Sequence, residues 1–316
     1  MRLDALTGVV YGGAMSKLAG AFTALVTPFR TDGSVDDAAL DKLVDLQLAG
    51  GIAGVVPCGT TGESPTLDDE EHIGVIAKVT RRVHMQGGKG KTVVIGGTGS
   101  NSTREAITLS KKAVDVGVDA VMIVMPYYNK PTQAGLVEHC VAIARAVEST
   151  PVVLYNVPGR TASDLLPDSV EAITRAASNV VAIKEATGNI LRAQELHRRL
   201  GDRLTVLSGD DALTLGMMAC GAKGVISVTS NVFPKQVQEV CALALAGRWE
   251  EARRAHFALL PVHDAMFIES NPGPAKAALV DAGLLQATVR SPLVFPGEAT
   301  RAKVREIVGA YRASVS

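Results

Sequence analysis

A (β/α)8 barrel followed by a small helical unit is the fold the sequence predicts, and three observations carry that expectation. Short β-branched runs alternate with longer amphipathic stretches as far as about residue 246. There are eight such runs, the number that closes a parallel barrel, and 316 residues fall within the range one barrel occupies. Each run is apolar almost without interruption, as strands buried on both faces are.

The first run, 22–27, ends at Thr27-Pro28, and Asp36-Asp37 opens the helix after it. The second, 52–57, leads into Gly59-Thr60-Thr61-Gly62-Glu63, after which Asp68-Asp69-Glu70-Glu71 supplies an acidic first turn. The third, 92–96, gives way to Gly97-Thr98-Gly99 and to Ser102 with Glu105 three positions on, the spacing of a capping box. The fourth, 120–125, is followed by Pro126-Tyr127-Tyr128-Asn129. The fifth, 152–155, closes on Tyr155-Asn156, with Arg160 soon after and Pro167-Asp168 at the next helix start. The sixth, 180–184, ends on Lys184-Glu185; the seventh, 204–207, on Ser208-Gly209-Asp210-Asp211; the eighth, 224–228, carries Ser227 and is followed by Thr229. From Arg248 onward strand runs cease, and helices are broken at Asn271-Pro272-Gly273-Pro274 and Ser291-Pro292. The expected division is an N-terminal extension at 1–18, a catalytic barrel at 19–246 and a C-terminal helical domain at 247–316.

Composition excludes several functions. Thirty-two basic residues balance thirty-two acidic ones, which argues against a sequence-independent nucleic-acid binder and against a polybasic membrane anchor. No apolar run approaches the roughly 18 residues of a membrane span. Cys58, Cys140, Cys220 and Cys241 form no CxxC pair, so a cytoplasmic location is expected rather than a disulfide framework or zinc knuckle. The six histidines, His72, His84, His139, His197, His256 and His263, form no i, i+4 pair, and no GxGxxG links a strand to a helix. Neither a metal nor a cofactor is expected.

Barrel chemistry sits where the C-terminal ends of the strands converge. An ammonium ending the run Val180-Val181-Ala182-Ile183 is costly to hold charged there, and a neutral Lys184 amine is a nucleophile for a ketone carbonyl. The competing reading pairs Lys184 with Glu185 or another inward acid. Gly59 to Glu63 reads either as a glycine-flanked anion cradle or as a tight turn with capping threonines. If an anion binds, carboxylate is favoured over phosphate, because Asp210-Asp211 would repel phosphate at the seventh loop. The Tyr155 phenol can relay protons through hydroxyls such as Thr60 or Tyr128, or be a buried tyrosine with a satisfied hydroxyl. Arg160 offers a fork for a carboxylate, or a surface ion pair.

Five motifs in order then resemble the 4-hydroxy-tetrahydrodipicolinate synthase (dihydrodipicolinate synthase) family, from about Gly20 to near the C-terminus. They are Gly59-Thr60-Thr61-Gly62-Glu63-Ser64, Pro126-Tyr127-Tyr128-Asn129-Lys130-Pro131, Tyr155-Asn156-Val157-Pro158-Gly159-Arg160-Thr161, Ile183-Lys184-Glu185-Ala186-Thr187-Gly188 and Ser208-Gly209-Asp210-Asp211. The resemblance implies a lyase that condenses pyruvate with L-aspartate 4-semialdehyde, in diaminopimelate and lysine biosynthesis. It implies that Lys184 forms an imine with pyruvate, that Thr61 holds the pyruvate carboxylate, and that Ile226 and Gly209 line the substrate site. Tyr155, Thr60 and Tyr128 match the family's proton relay, with Tyr128 reaching in from a neighbouring subunit, and Arg160 matches the arginine that receives the semialdehyde carboxylate. A homotetramer built as a dimer of dimers is implied as well. Ser64, His72, Asn101, Glu105 and Tyr127 match an allosteric L-lysine site, from whose pattern Pro65 and Asp69 depart. Two rivals remain: an N-acetylneuraminate lyase or 2-keto-3-deoxy sugar acid aldolase on the same scaffold, which Arg160 disfavours, and a non-catalytic barrel, which the full set of mouth residues disfavours.

Overall fold

The computed structural model describes residues 18–88 and 91–315, so residues 1–17 of the expected extension lie outside the described residues. Eight strands, β1 (Gly20–Ala24), β2 (Gly54–Val56), β3 (Val93–Gly97), β4 (Ala120–Val124), β5 (Val152–Asn156), β6 (Val180–Glu185), β7 (Thr205–Ser208) and β8 (Gly224–Ser227), close a barrel in sequence order. Neighbouring strands are parallel, and β8 returns to β1 with Phe22 opposite Ile226. The barrel expected from the eight apolar runs is the one observed.

Some strands stop short of their apolar run. The run 22–27 leaves β1 at Ala24: Leu25 N–H still reaches Val56 O of β2 at 3.1 Å, but Val26 N–H donates to Asn231 Oδ1 at 3.1 Å. Asn231, fully buried, returns its amide to the carbonyls of Ala24 (2.8 Å) and Val228 (2.9 Å), tying the end of β1 to the end of β8. A buried side-chain amide here replaces a ladder that the diverging strands can no longer form.

The outer layer consists of α1 (Asp37–Ala49), α2 (Asp69–Val83), α3 (Thr103–Asp115), α4 (Gln133–Ala146), α5 (Pro158–Thr161), α6 (Pro167–Ala176), α7 (Ile190–Leu200), α8 (Thr214–Ala219) and α9 (Pro234–Leu245). The anticipated helix starts are real. Asp36 accepts from Ala39 N–H, Asp68 closes a capping box with Glu71, and Pro167 occupies a first-turn position. The pair Ser102 and Glu105 makes only half of its box, because the Glu105 carboxylate accepts from Ser100 Oγ (2.8 Å) instead of reaching back. Apolar side chains fill two layers, one inside the barrel (Phe22, Val56, Ile95, Met122, Leu207, Ile226) and one between strands and helices (Leu43, Ile76, Val121, Ile143, Ile173, Leu196).

After the barrel come α10 (Trp249–Ala265), α11 (Gly273–Asp281) and α12 (Glu298–Val315). Tyr311 of α12 meets the Phe233 ring edge-on, with centroids 4.9 Å apart. The two anticipated breaks are cis peptides, Asn271–Pro272 and Ser291–Pro292. The segment between them crosses back to the loop after β2, a contact no local sequence feature announced. Lys276, fully buried, pairs with the equally buried Glu63 at 2.5 Å, and Arg290 N–H donates to the other Glu63 oxygen at 2.9 Å. The Arg290 guanidinium adds two bonds of 2.6 Å to Glu71 and further bonds to the carbonyls of Gly33 and Thr66. Among the described residues, no helix is long and apolar enough to cross a membrane.

Candidate active site at the barrel mouth

Alternation along the strands decides which side chains enter the barrel. Tyr155 and Lys184 are register partners on β5 and β6 and both point inward, whereas the next pair, Asn156 and Glu185, points out toward the helices. Lys184 Nζ lies 4.2 Å from the centroid of the Tyr155 ring, and the residue is only 5% exposed. Glu185 is not its partner. Its carboxylate accepts from Thr187 N–H (2.7 Å) and Asn156 Nδ2 (3.4 Å), and burial, only partly offset by those bonds, raises its pKa. Among the described residues Lys184 has no ion pair at all, which removes the simplest alternative to a nucleophilic role.

The outward pair organises the loop that follows β5. Asn156 donates to Asp164 Oδ1 (2.9 Å) and accepts from Leu165 N–H (3.0 Å). Arg192 grips Asp164 with two bonds of 2.9 Å and holds that carboxyl below the usual range. Both ends of the segment 157–165 are thereby anchored, and α5 presents Arg160 to solvent without an ion pair among the described residues. Arg160, Thr60, Tyr155, Tyr127, Met122 and Val124 line one cavity of about 270 Å³. A guanidinium kept free of carboxylates at the rim of such a cavity is suited to an incoming anion.

The segment after β2 forms the tight turn that was one of its two readings. The N–H groups of Gly62, Glu63 and Ser64 are spent inside the turn on the carbonyls of Gly59 and Thr60, so the earlier members, Thr60 and Thr61, are the groups left for an anion. Gly62 is tightly enclosed, since a Cβ would sit 3.1 Å from the backbone atoms Cys58 N and Leu25 O, which would have to give way by a few tenths of an ångström. Thr60 faces the cavity, while Thr61 is buried and its Oγ1 accepts from Asn271 Nδ2 at 2.9 Å. Gly209 is required by close approach: a Cβ there would meet Ala186 Cβ at 2.5 Å, and its N–H donates to Glu185 O. Ile226 is buried against the inner layer. The Asp210-Asp211 pair does not act as one negative patch, because Asp211 turns to β8 and accepts from Ser227 Oγ (2.5 Å), Val228 N–H (2.8 Å) and Thr229 N–H (3.2 Å). Burial raises the pKa of Asp210.

Tyr128 does not enter the cavity of its own chain. It is 89% exposed with φ of 72°, projecting from a loop braced by Asn101 Nδ2 to Tyr127 O (3.2 Å) and Asn129 Nδ2 to Asn101 O (3.0 Å). The left-handed backbone at Tyr128 is strained for a side-chain-bearing residue, and the ring it carries is turned to solvent. Of the five allosteric candidates, Ser64 and Tyr127 line the cavity, Asn101 and Glu105 hold loop structure, and His72 Nε2 meets Gly97 O at 2.7 Å. Burial lowers the His72 pKa and favours its neutral form. Pro65 lines the same cavity and Asp69 pairs with Lys112 at 3.5 Å. Sequence reading missed Asn271, Asn231 and the outward turn of Asp211; Asn271 looked only like a helix breaker before proline.

Comparisons with known proteins find relatives over nearly the whole chain. Residues 17–311 match the family model described as the Dihydrodipicolinate synthetase family. The chain is 58% identical over 290 residues to a 4-hydroxy-tetrahydrodipicolinate synthase of Sorangium cellulosum, covering 92% of this chain and 94% of that one. It is similar in structure to the chloride-inhibited dihydrodipicolinate synthase of Acinetobacter baumannii complexed with pyruvate, with TM-score 0.89, 43% identity, and coverage of 93% and 99% of the two chains. The corresponding enzyme of Cyanidioschyzon merolae with lysine bound gives TM-score 0.90 at 36% identity, with coverage of 94% and 99%.

Proposed function

The chain belongs to the dihydrodipicolinate synthetase family, and on that premise we propose that it condenses pyruvate with L-aspartate 4-semialdehyde to give 4-hydroxy-tetrahydrodipicolinate. The observation that carries this reading is the inward, buried Lys184, which pairs with no carboxylate among the described residues and holds its Nζ 4.2 Å from the ring centroid of Tyr155, a residue that lines one cavity with Arg160.

Lys184 Nζ adds to the ketone of pyruvate and, with loss of water, forms an imine. The imine acidifies the pyruvate methyl group, whose proton leaves through Tyr155, and the resulting enamine attacks the aldehyde carbon. Lys184 is released when the amine of the second substrate takes its place on the imine carbon, which closes the ring. Thr61 holds the pyruvate carboxylate, Gly209 and Ile226 shape its surroundings, and Arg160 receives the carboxylate of the semialdehyde. Thr60 passes protons between Tyr155 and Tyr128 of the partner subunit. That relay makes assembly part of the active site; a homotetramer of two tight dimers is the form proposed. The rival sugar-acid aldolase activities do not call for a free guanidinium at the rim.

Reduction with borohydride in the presence of pyruvate, followed by peptide mass mapping, tests the reading. A pyruvate-derived mass is expected on Lys184; its absence, or its appearance on another residue, ends the proposal. L-lysine is further proposed as an effector at Ser64, His72, Asn101, Glu105 and Tyr127, and an unchanged rate in millimolar L-lysine would remove that role.

A further inference from the structure

We propose that Asn271, which lies beyond the barrel, is a positioning residue for pyruvate: its amide holds the Thr61 hydroxyl so that the one proton of that hydroxyl is aimed at the substrate carboxylate. This rests on the reading of Thr61 given above.

A threonine hydroxyl has one proton to donate and two lone pairs with which to accept. Thr61 Oγ1 accepts from Asn271 Nδ2 at 2.9 Å, with Thr61 2% and Asn271 6% exposed, so no bulk water competes for the geometry. An amide nitrogen cannot accept in return, and the hydroxyl proton is left for an anion, where a hydrogen bond is stronger than to a neutral acceptor. The opposite arrangement, a hydroxyl donating to the amide oxygen, would consume that proton.

Asn271 Oδ1 is buried with no hydrogen-bond partner among the described residues. A side chain kept only to fill space would be apolar or bonded at both ends, because half-satisfied buried amides are costly. The bond from Nδ2 to Thr61 is the one the structure preserves. The same segment also grips the turn two residues later, where the buried Lys276 pairs with Glu63 at 2.5 Å and Arg290 N–H reaches Glu63 at 2.9 Å. These contacts set where the amide stands relative to Thr61.

The test uses the full chain and two readouts: the pyruvate concentration giving half-maximal borohydride trapping, and steady-state KM and kcat for both substrates. Asn271→Ala is expected to raise half-saturating pyruvate about tenfold, the loss of one aligned hydrogen bond to an anion. KM for the semialdehyde should stay in place. At pH 8 Asn271→Asp should be worse than Asn271→Ala, because an ionised carboxylate captures the Thr61 proton and repels the substrate; a packing role predicts the reverse order, since Asp is the closer isostere. In a Thr61→Val background, Asn271→Ala should add nothing. An unshifted Asn271→Ala, the reverse order of Ala and Asp, or additivity with Thr61→Val each overturns the inference. Thr61→Val without effect on trapping overturns the carboxylate reading and this inference together, whereas an effective Thr61→Val with additive Asn271→Ala overturns the inference alone. Should Asn271→Ala fail to fold, Asn271→Ser carries the same cycle.

Discussion

Replacing Lys276 by Met tests how the segment after the barrel holds the turn after β2. Met matches the length and apolar character of the lysine stem, so little cavity is left and the main loss is the charge facing Glu63. Both side chains are fully buried, and Lys276 also gives up its bond to Thr288 O (3.1 Å) and its position over the Phe29 ring. Removing one member of such a pair costs about 3–5 kcal/mol, because a carboxylate stays in the interior without its counter-ion. Glu63 has an escape, which is to take up a proton. For a carboxyl with an ordinary pKa of about 4.3, that costs about 1.4 kcal/mol per pH unit, or about 4 kcal/mol at pH 7.5 and about 2 kcal/mol at pH 5.5. The penalty should therefore shrink on acidification. Leaving a carboxylate unpaired in the interior disfavours its charged form, so the deficit of the variant is expected to be smaller at low pH and to grow as pH rises. Urea unfolding of Lys276→Met and wild type at pH 7.5 and 5.5, at equal protomer concentration, measures this. A penalty below about 1 kcal/mol at pH 7.5, or one that does not change with pH, refutes the reasoning. Glu63→Gln combined with Lys276→Met should recover most of the loss.

Three other outcomes are expected. Mixed dimers of Lys184→Ala and Tyr128→Phe subunits should regain about a quarter of wild-type activity after random reassortment, since half of the dimers are mixed and each mixed dimer holds one complete site; no recovery would show that Tyr128 serves its own chain. Arg160→Ala should raise KM for aspartate semialdehyde at least about tenfold through loss of a charge-assisted fork while leaving pyruvate trapping within about twofold, and an equal effect on both substrates would contradict its assignment. His139, buried against Thr103 with its pKa pushed down to about 4, takes a proton more readily when unfolded, so its contribution is present at neutral pH and is lost as pH falls from about 6.5 toward 4. His139→Gln should flatten that limb of the stability profile, which urea midpoints at pH 7 and pH 5 will show or deny.

The barrel was legible in the sequence because parallel strands buried on both faces must be apolar throughout, and the eight runs stand out against amphipathic helices. Lys184 and Tyr155 were legible for a related reason, since polar groups at the ends of apolar runs are exceptions that need a cause, and Arg160 was legible as a cation in the loop that follows one. Less could be read where one residue's task is decided by a residue far along the chain. Whether Lys184 pairs with Glu185 depends on strand alternation combined with Asn156 and Thr187 capturing the Glu185 carboxylate, and neither follows from composition. Asn271 and Glu63 are separated from their partners by more than two hundred residues, and nothing nearby in sequence marks them. The turn after β2 could be read only halfway, since anion cradles and tight turns draw on the same glycines and threonines.

The grip of Asn271, Lys276 and Arg290 on the turn after β2 also orders events in time. Thr61 and Glu63 are made early, yet the groups that finish their surroundings lie 210 and 227 positions later. During synthesis the barrel mouth therefore remains incomplete until nearly the whole chain has left the ribosome, and closure entropy for these contacts is met last. A chain ending near residue 246 would carry the eight strands and Lys184 but none of the three side chains and backbone groups that reach Thr61 and Glu63.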